Sequence, residues 1–156
     1  MPLLKKIQLN KNTKMVIWKL DESLQELQKK LPEKRVSHIK NEKRKKEYLA
    51  TRIALKELTD SNLYYDNFGA PEIRKNKYIS ISHSQYFICI VISKVPIATD
   101  IEKISTKALT LSNRFISKED HIEITKNKAT LIWSAKECIF KLQKRKGIDF
   151  KNEIII

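Results

Sequence analysis

The sequence predicts an α+β fold, and three observations carry that expectation. The chain has 156 residues with 41% hydrophobic content, enough for a packed core but only for one ordinary domain or two small halves. Apolar runs of strand length lie in the middle of the chain, with charged segments of helical periodicity on either side. The resulting order (strand, two helices, three strands, two helices, strand) does not alternate in the way a parallel α/β sheet requires.

Met15–Leu20 (MVIWKL) is rich in β-formers and reads as a strand. Asp21 offers an N-cap for a short helix to about Lys30, which Leu31-Pro32 ends. From Glu33 to about Leu58 the pattern is helical, with Ile39, Leu49, Ile53, Ala54 and Leu58 as its apolar positions. Lys43-Arg44-Lys45-Lys46 and Arg52 give that helix one basic surface. Asp66–Pro71 has the composition of a loop. Tyr78–Ser82 alternates as a strand, and His83-Ser84-Gln85 breaks it. Tyr86–Ser93 (YFICIVIS) is almost continuously apolar, as a strand covered on both faces would be. After the connector Lys94-Val95-Pro96, Ile97–Ile104 reads as a further strand interrupted by acids. Leu109–Ile116 is weakly amphipathic, and Ser117–Asp120 resembles a helix start. A long helix is expected from Ala129 to about Lys146, with Leu131, Ala135, Cys138 and Leu142 as its core stripe and Gly147 ending it. Asp149–Ile156 reads as a final strand.

Composition narrows the function classes. Against 18 acidic residues stand 32 Lys and Arg, a formal net charge of +14, and such a field attracts polyanions. With 2 Gly and neither G-x-x-x-x-G-K-[ST] nor G-x-G-x-x-G, P-loop and dinucleotide-binding functions are excluded. No Cys/His cluster or H-E-x-x-H suggests zinc, and His38 and His121 read as surface residues. Cys89 and Cys138 form no C-x-x-C pair and read as reduced core residues of a cytoplasmic protein. The charged N-terminus lacks an apolar signal region, and the longest apolar run, Phe87–Ile92, is too short to span a bilayer.

The chemistry-bearing residues are few. On a strand, Asp100 and Glu102 of Asp100-Ile101-Glu102 would share one face, and two such carboxylates repel unless a cation lies between them. Mg²⁺ suits that arrangement because it takes few carboxylates together with waters and substrate phosphates. Trp133, Glu137 and Lys141 line one helix face at i, i+4, i+8. By itself that row is equally a surface Glu–Lys pair beside a half-buried Trp. Ser82 and His83 are neighbours on an extended chain and point to opposite sides, so they cannot form a nucleophile–base pair, although both can bind a phosphorylated ligand.

Taken in series, Ile79–Ser84 (ISISHS), Ile97–Glu102 (IATDIE), Arg114–Glu119 (RFISKE) and Trp133–Lys141 (WSAKECIFK) resemble the motifs of the 4′-phosphopantetheinyl transferases. The likeness runs from about Lys40 to Phe150 and is closer to the surfactin-synthetase-activating type, which has two related halves in one chain. It implies two pseudo-symmetric halves, residues 1–95 and 96–156, each a small antiparallel sheet with a long helix, the second shortened at its C-terminus. It also implies transfer of the phosphopantetheine arm of coenzyme A to a serine of an apo acyl- or peptidyl-carrier protein, leaving 3′,5′-ADP, as in fatty-acid biosynthesis. Asp100, Glu102 and Glu137 would then be ligands of Mg²⁺, with Mn²⁺ as the alternative. Lys141 would hold the pyrophosphate, and Glu119 would be the base for the carrier serine. Ser82, His83, Arg44 and Arg52 would contact the nucleotide of coenzyme A. The protein would work as a monomer, without membrane or nucleic acid.

Three departures from the family pattern stand out. Ala70 occupies a loop position usually basic, Ala98-Thr99 replaces a Gly-hydrophobic pair, and the chain stops at Ile156 where family members continue. They leave open a family member that binds coenzyme A or a carrier without catalysis. The charge alone leaves open a nucleic-acid-binding protein.

Overall fold

The computed structural model describes residues 2–74, 76–117, 123–144 and 147–156. Its architecture is α+β: among the described residues it has a four-stranded antiparallel sheet, a two-stranded sheet and four α-helices, the longest near the C-terminus. The chain divides into two compact units, Met1–Thr99 and Asp100–Ile156.

The first unit is built on strands β1 (Leu3–Asn10), β2 (Thr13–Lys19), β5 (Tyr78–Ser84) and β6 (Phe87–Ser93), in the order β1-β2-β6-β5. Between β2 and β5 come helices α1 (Leu24–Lys30) and α2 (Glu42–Lys56) and a hairpin of β3 (Leu63–Tyr65) and β4 (Pro71–Ile73). β6 is central and buried along Ile88–Ser93, as its unbroken apolar run predicts. Its register pairs Ile90 with Val16 and Ile88 with Trp18, so these four side chains share one face of the sheet. Leu49, Ala50, Ala54 and Leu55 of α2 and Leu27 of α1 complete the core with them. On the opposite face Ser80 Oγ accepts the Thr99 N–H at 3.1 Å, and Cys89 Sγ lies 3.3 Å from Thr99 Oγ1.

Several boundaries differ from the sequence expectation. β1 was not foreseen: it is an edge strand whose exposed Leu4 and Leu9 give no buried alternation to read. α1 is capped by Ser23, not Asp21, through a capping box in which Ser23 and Glu26 satisfy each other's backbone N–H. The expected helix over 33–58 is a 3₁₀ turn, Lys34–His38, followed by α2, which Asn41 caps by accepting the Arg44 N–H at 3.0 Å. The loop over 66–71 is the hairpin tip, where Asp66 Oδ1 accepts the N–H groups of Phe68 and Ala70.

The second unit holds α3 (Thr106–Thr110), a 3₁₀ turn at Ser112–Arg114 and α4 (Lys126–Gln143). Among its described residues there is no strand. The expected strands at Ile97–Ile104 and Asp149–Ile156 are not strands, and among the described residues no strand pairs with either. The small core gathers Phe115, Ala129 and Ile132, with Trp133 and Phe150 packed against them. Trp133 meets Phe115 edge-on at 5.1 Å and stacks on Phe150 at 5.3 Å.

The core stripe expected on α4 is therefore corrected. Leu131 is 72% exposed and Leu142 is 48% exposed, while the buried positions are Ala129, Thr130, Ile132 and Lys136. Helical spacing is kept, but the buried face is rotated away from the most hydrophobic residues. The aromatic pair Phe115 and Phe150 covers that other face. Helix α4 ends at Gln143, with Lys144 in the left-handed conformation as its cap, a few residues before Gly147.

Candidate functional site

The residues that carry chemistry converge within the second unit. Asp100 opens it, and its side chain is only 5% exposed. A carboxylate so withdrawn from water needs compensation, and α4 supplies it. Ser134 Oγ donates to Asp100 Oδ2 at 2.8 Å, and Lys141 Nζ stands 3.0 Å from Oδ1. Ser134 and Lys141 are seven residues apart, two turns of the same helix face, so α4 grips Asp100 from one side.

Glu102 and Glu137 belong to the same electrostatic neighbourhood. Withdrawal of the Glu102 carboxyl from water pushes its pKa up, and the charge of Asp100 adds to the rise. A hydrogen bond from Trp133, then Lys141 and Lys107, pull the other way. Burial likewise raises Glu137; Lys141 opposes it, and Asp100 and Glu102 add to it. Each of the three carboxylates thus feels the others and the ammonium of Lys141.

Among the described residues no three His, Cys, Asp or Glu side chains stand closely enough to hold a metal ion as they are placed. The donor chemistry nevertheless fits a hard cation: three carboxylates, all withdrawn from water to some degree, share the positive charge of Lys141. Asp100, Glu102 and Glu137 are the residues that would hold it. Asp100 and Glu102 reach the site from irregular backbone rather than the expected strand, and Ile101 between them is only half-buried. Glu119 lies outside the described residues.

The remaining sequence candidates lie in the first unit. On β5, Ser82 is buried and His83 is exposed, on opposite sides of the strand. His83 Nε2 lies 2.9 Å from Thr51 Oγ1 of α2. Thr51 also donates to the Glu47 carbonyl at 2.7 Å, so its oxygen accepts from His83 and the imidazole carries its hydrogen on Nε2. Arg52 lies with its guanidinium 3.4 Å from the centre of the Tyr48 ring and donates to the Tyr48 carbonyl. Arg44 is exposed in the first turn of the same helix.

Sequence reasoning missed Ser134, Thr51 and Lys136. Ser134 had a signal, since it lies two turns before Lys141 on one helix. Thr51 had none, because its partner is 32 residues away on a strand. No helix among the described residues is long and apolar enough to cross a membrane. Compared with known proteins, the chain matches no family model and no curated protein sequence.

Proposed function

We propose that this chain is a metal-assisted 4′-phosphopantetheinyl transferase, moving the arm of coenzyme A to a serine of an apo carrier protein. One observation carries the reading: Asp100, Glu102, Glu137 and Lys141, drawn from two separate motif strings, share one neighbourhood in the second unit. That is the residue set which the motif series assigns to a divalent cation and a pyrophosphate.

In the reaction the serine oxygen forms a bond to the phosphorus that carries the pantetheine arm, and the bond to 3′,5′-ADP breaks. Mg²⁺ or Mn²⁺, when bound, would neutralise negative charge growing on the leaving phosphate. Lys141 is suited to hold the pyrophosphate, because its side chain is 27% exposed and its ammonium already lies against the Asp100 carboxylate. Glu119 is the base proposed for the serine proton. In the first unit, Ser82, His83, Arg44 and Arg52 are the proposed nucleotide contacts. His83 is exposed on β5, with Nε2 held 2.9 Å from Thr51 Oγ1. The excess of basic residues suits an acidic carrier protein and a polyanionic cofactor.

A second reading has its own observation. Lys141 already pairs with Asp100, and the carboxylates are not gathered as a closed ligand set, which suits a relative that binds coenzyme A without transfer. Incubation with coenzyme A, Mg²⁺ and an apo carrier protein separates the two. Mass spectrometry of the carrier should show the added arm, and coenzyme A binding with no transfer to any carrier would refute the first reading.

A further inference from the structure

Among the described residues, the largest side chain with no exposed surface is a lysine. Lys136, in the middle of α4, is 0% exposed. Its ammonium donates to the Phe115 carbonyl at 2.5 Å and to the Phe150 carbonyl at 2.9 Å. Withdrawing an ammonium from water is costly, and an apolar side chain of similar volume would fill the space without that cost. What an apolar residue would lose is the ability to hold two carbonyls at once.

The identity of those two carbonyls gives the arrangement its meaning. They belong to Phe115 and Phe150, whose rings flank Trp133, three residues before Lys136 on the same helix. Phe115 follows a 3₁₀ turn and Phe150 lies in a turn, so neither is fixed by a strand or an α-helix. Lys136 ties both segments to the buried face of α4, and the tie fixes the rotation of the helix about its axis. Glu137 is the next residue, and Lys141 lies five further on, so that rotation determines where both project. Trp133 is held between the two rings.

We propose that Lys136 is the positioning residue of the carboxylate site, setting Glu137 and Lys141 through the rotation of α4. The proposal rests on reading Asp100, Glu102 and Glu137 as a cation site. Groups that orient metal ligands from behind typically account for 10–100-fold in metal affinity.

The test uses the full chain with Mn²⁺ alone as the probe. Counting free Mn²⁺ by electron paramagnetic resonance gives the affinity. The indole N–H signal of Trp133 in a two-dimensional NMR spectrum, assigned through Trp133→Phe, reports the setting of the ring. Lys136→Met keeps the length of the side chain and removes its donors. It is expected to weaken Mn²⁺ binding about 10–100-fold and to move the Trp133 signal. Ile132→Ala removes core contacts from the same helix and serves as the stability control; it is expected to leave Mn²⁺ affinity within about threefold of wild type. Should Lys136→Met not fold, Lys136→Gln, which keeps two donors on a shorter stem, is expected to weaken binding about tenfold. A folded variant at Lys136 that binds Mn²⁺ as the wild type does, with Trp133 unmoved, overturns the proposal, as does a wild type that binds no Mn²⁺. A wild type that binds Mn²⁺ in a Lys136-dependent way but transfers no arm from coenzyme A overturns the transferase reading instead, and the positioning role stands.

Discussion

Lys141 Nζ lies 3.0 Å from Asp100 Oδ1, and the two side chains differ in exposure, 27% against 5%. The carboxylate is therefore the group that depends on the pair, since it has little water to fall back on. Replacing Lys141 by Met keeps the Ser134 hydrogen bond to Asp100 and loses the ammonium that faces the carboxylate. We expect a loss of about 1–2 kcal/mol, below the value for a fully buried pair because Lys141 is partly solvated. Adding Asp100→Asn to Lys141→Met should recover part of that loss, because the uncompensated charge is then gone. Urea unfolding of the two single variants and the double variant gives the coupling energy, and strict additivity would rule the interaction out.

The rotated face of α4 makes a second prediction from two adjacent residues. Leu131 is 72% exposed and Ile132 is 6% exposed. Leu131→Ala should change stability by less than about 0.5 kcal/mol, whereas Ile132→Ala should cost about 2–4 kcal/mol through lost contacts and a cavity. Thermal unfolding followed by circular dichroism distinguishes them. A larger loss at Leu131 than at Ile132 would place the buried face where hydropathy alone puts it.

That contrast also marks what the sequence can and cannot reveal. β6 was legible because Ile88–Ile92 is buried on both faces, and burial on both faces writes itself as continuous apolar sequence. β1 was illegible because an edge strand with exposed Leu4 and Leu9 imposes no periodicity. On α4, hydropathy favours Leu131 and Leu142, but the core face is chosen by Lys136, whose burial depends on carbonyls 21 and 14 residues away. No local pattern marks a lysine as a core residue. The row Trp133, Glu137, Lys141 was legible because helical spacing is local. That Asp100 meets Lys141 across 41 residues could be anticipated only from the motif series.

The capping box of α1 predicts a pH dependence. Glu26 has its pKa lowered, first by the Ser23 backbone N–H and next by the Ser23 hydroxyl, with smaller help from Lys30 and Lys29. A carboxyl whose folded pKa lies below its unfolded value contributes stability that is fully present above the unfolded value of 4.5. That contribution fades as pH falls through the folded pKa. In Glu26→Gln the contribution is absent at every pH, so variant and wild type should differ near pH 6 and converge at the acid end. Unfolding midpoints measured from pH 6 to pH 3 check this, and added salt should shrink the gap because Glu26 is exposed. A gap that widens on acidification would show that the sign is wrong.

Three carboxylates that share one ammonium are also expected to respond to a divalent cation. A cation that binds only the folded chain raises its stability by mass action, by about 2.7 kcal/mol at 100 times its dissociation constant. Titrating Mg²⁺ into the metal-free protein should therefore raise the melting temperature progressively, and excess chelator should return it to the starting value. Glu102→Gln and Glu137→Gln each remove one charged donor and relieve repulsion among the acids. Both variants should therefore start out no less stable than wild type without Mg²⁺ and gain less on its addition. The crossing of these two effects distinguishes a cation site from a surface cluster, in which Mg²⁺ acts only through ionic strength. A matched series with NaCl supplies that comparison, and an equal rise with NaCl would show that the carboxylates hold no ion of their own.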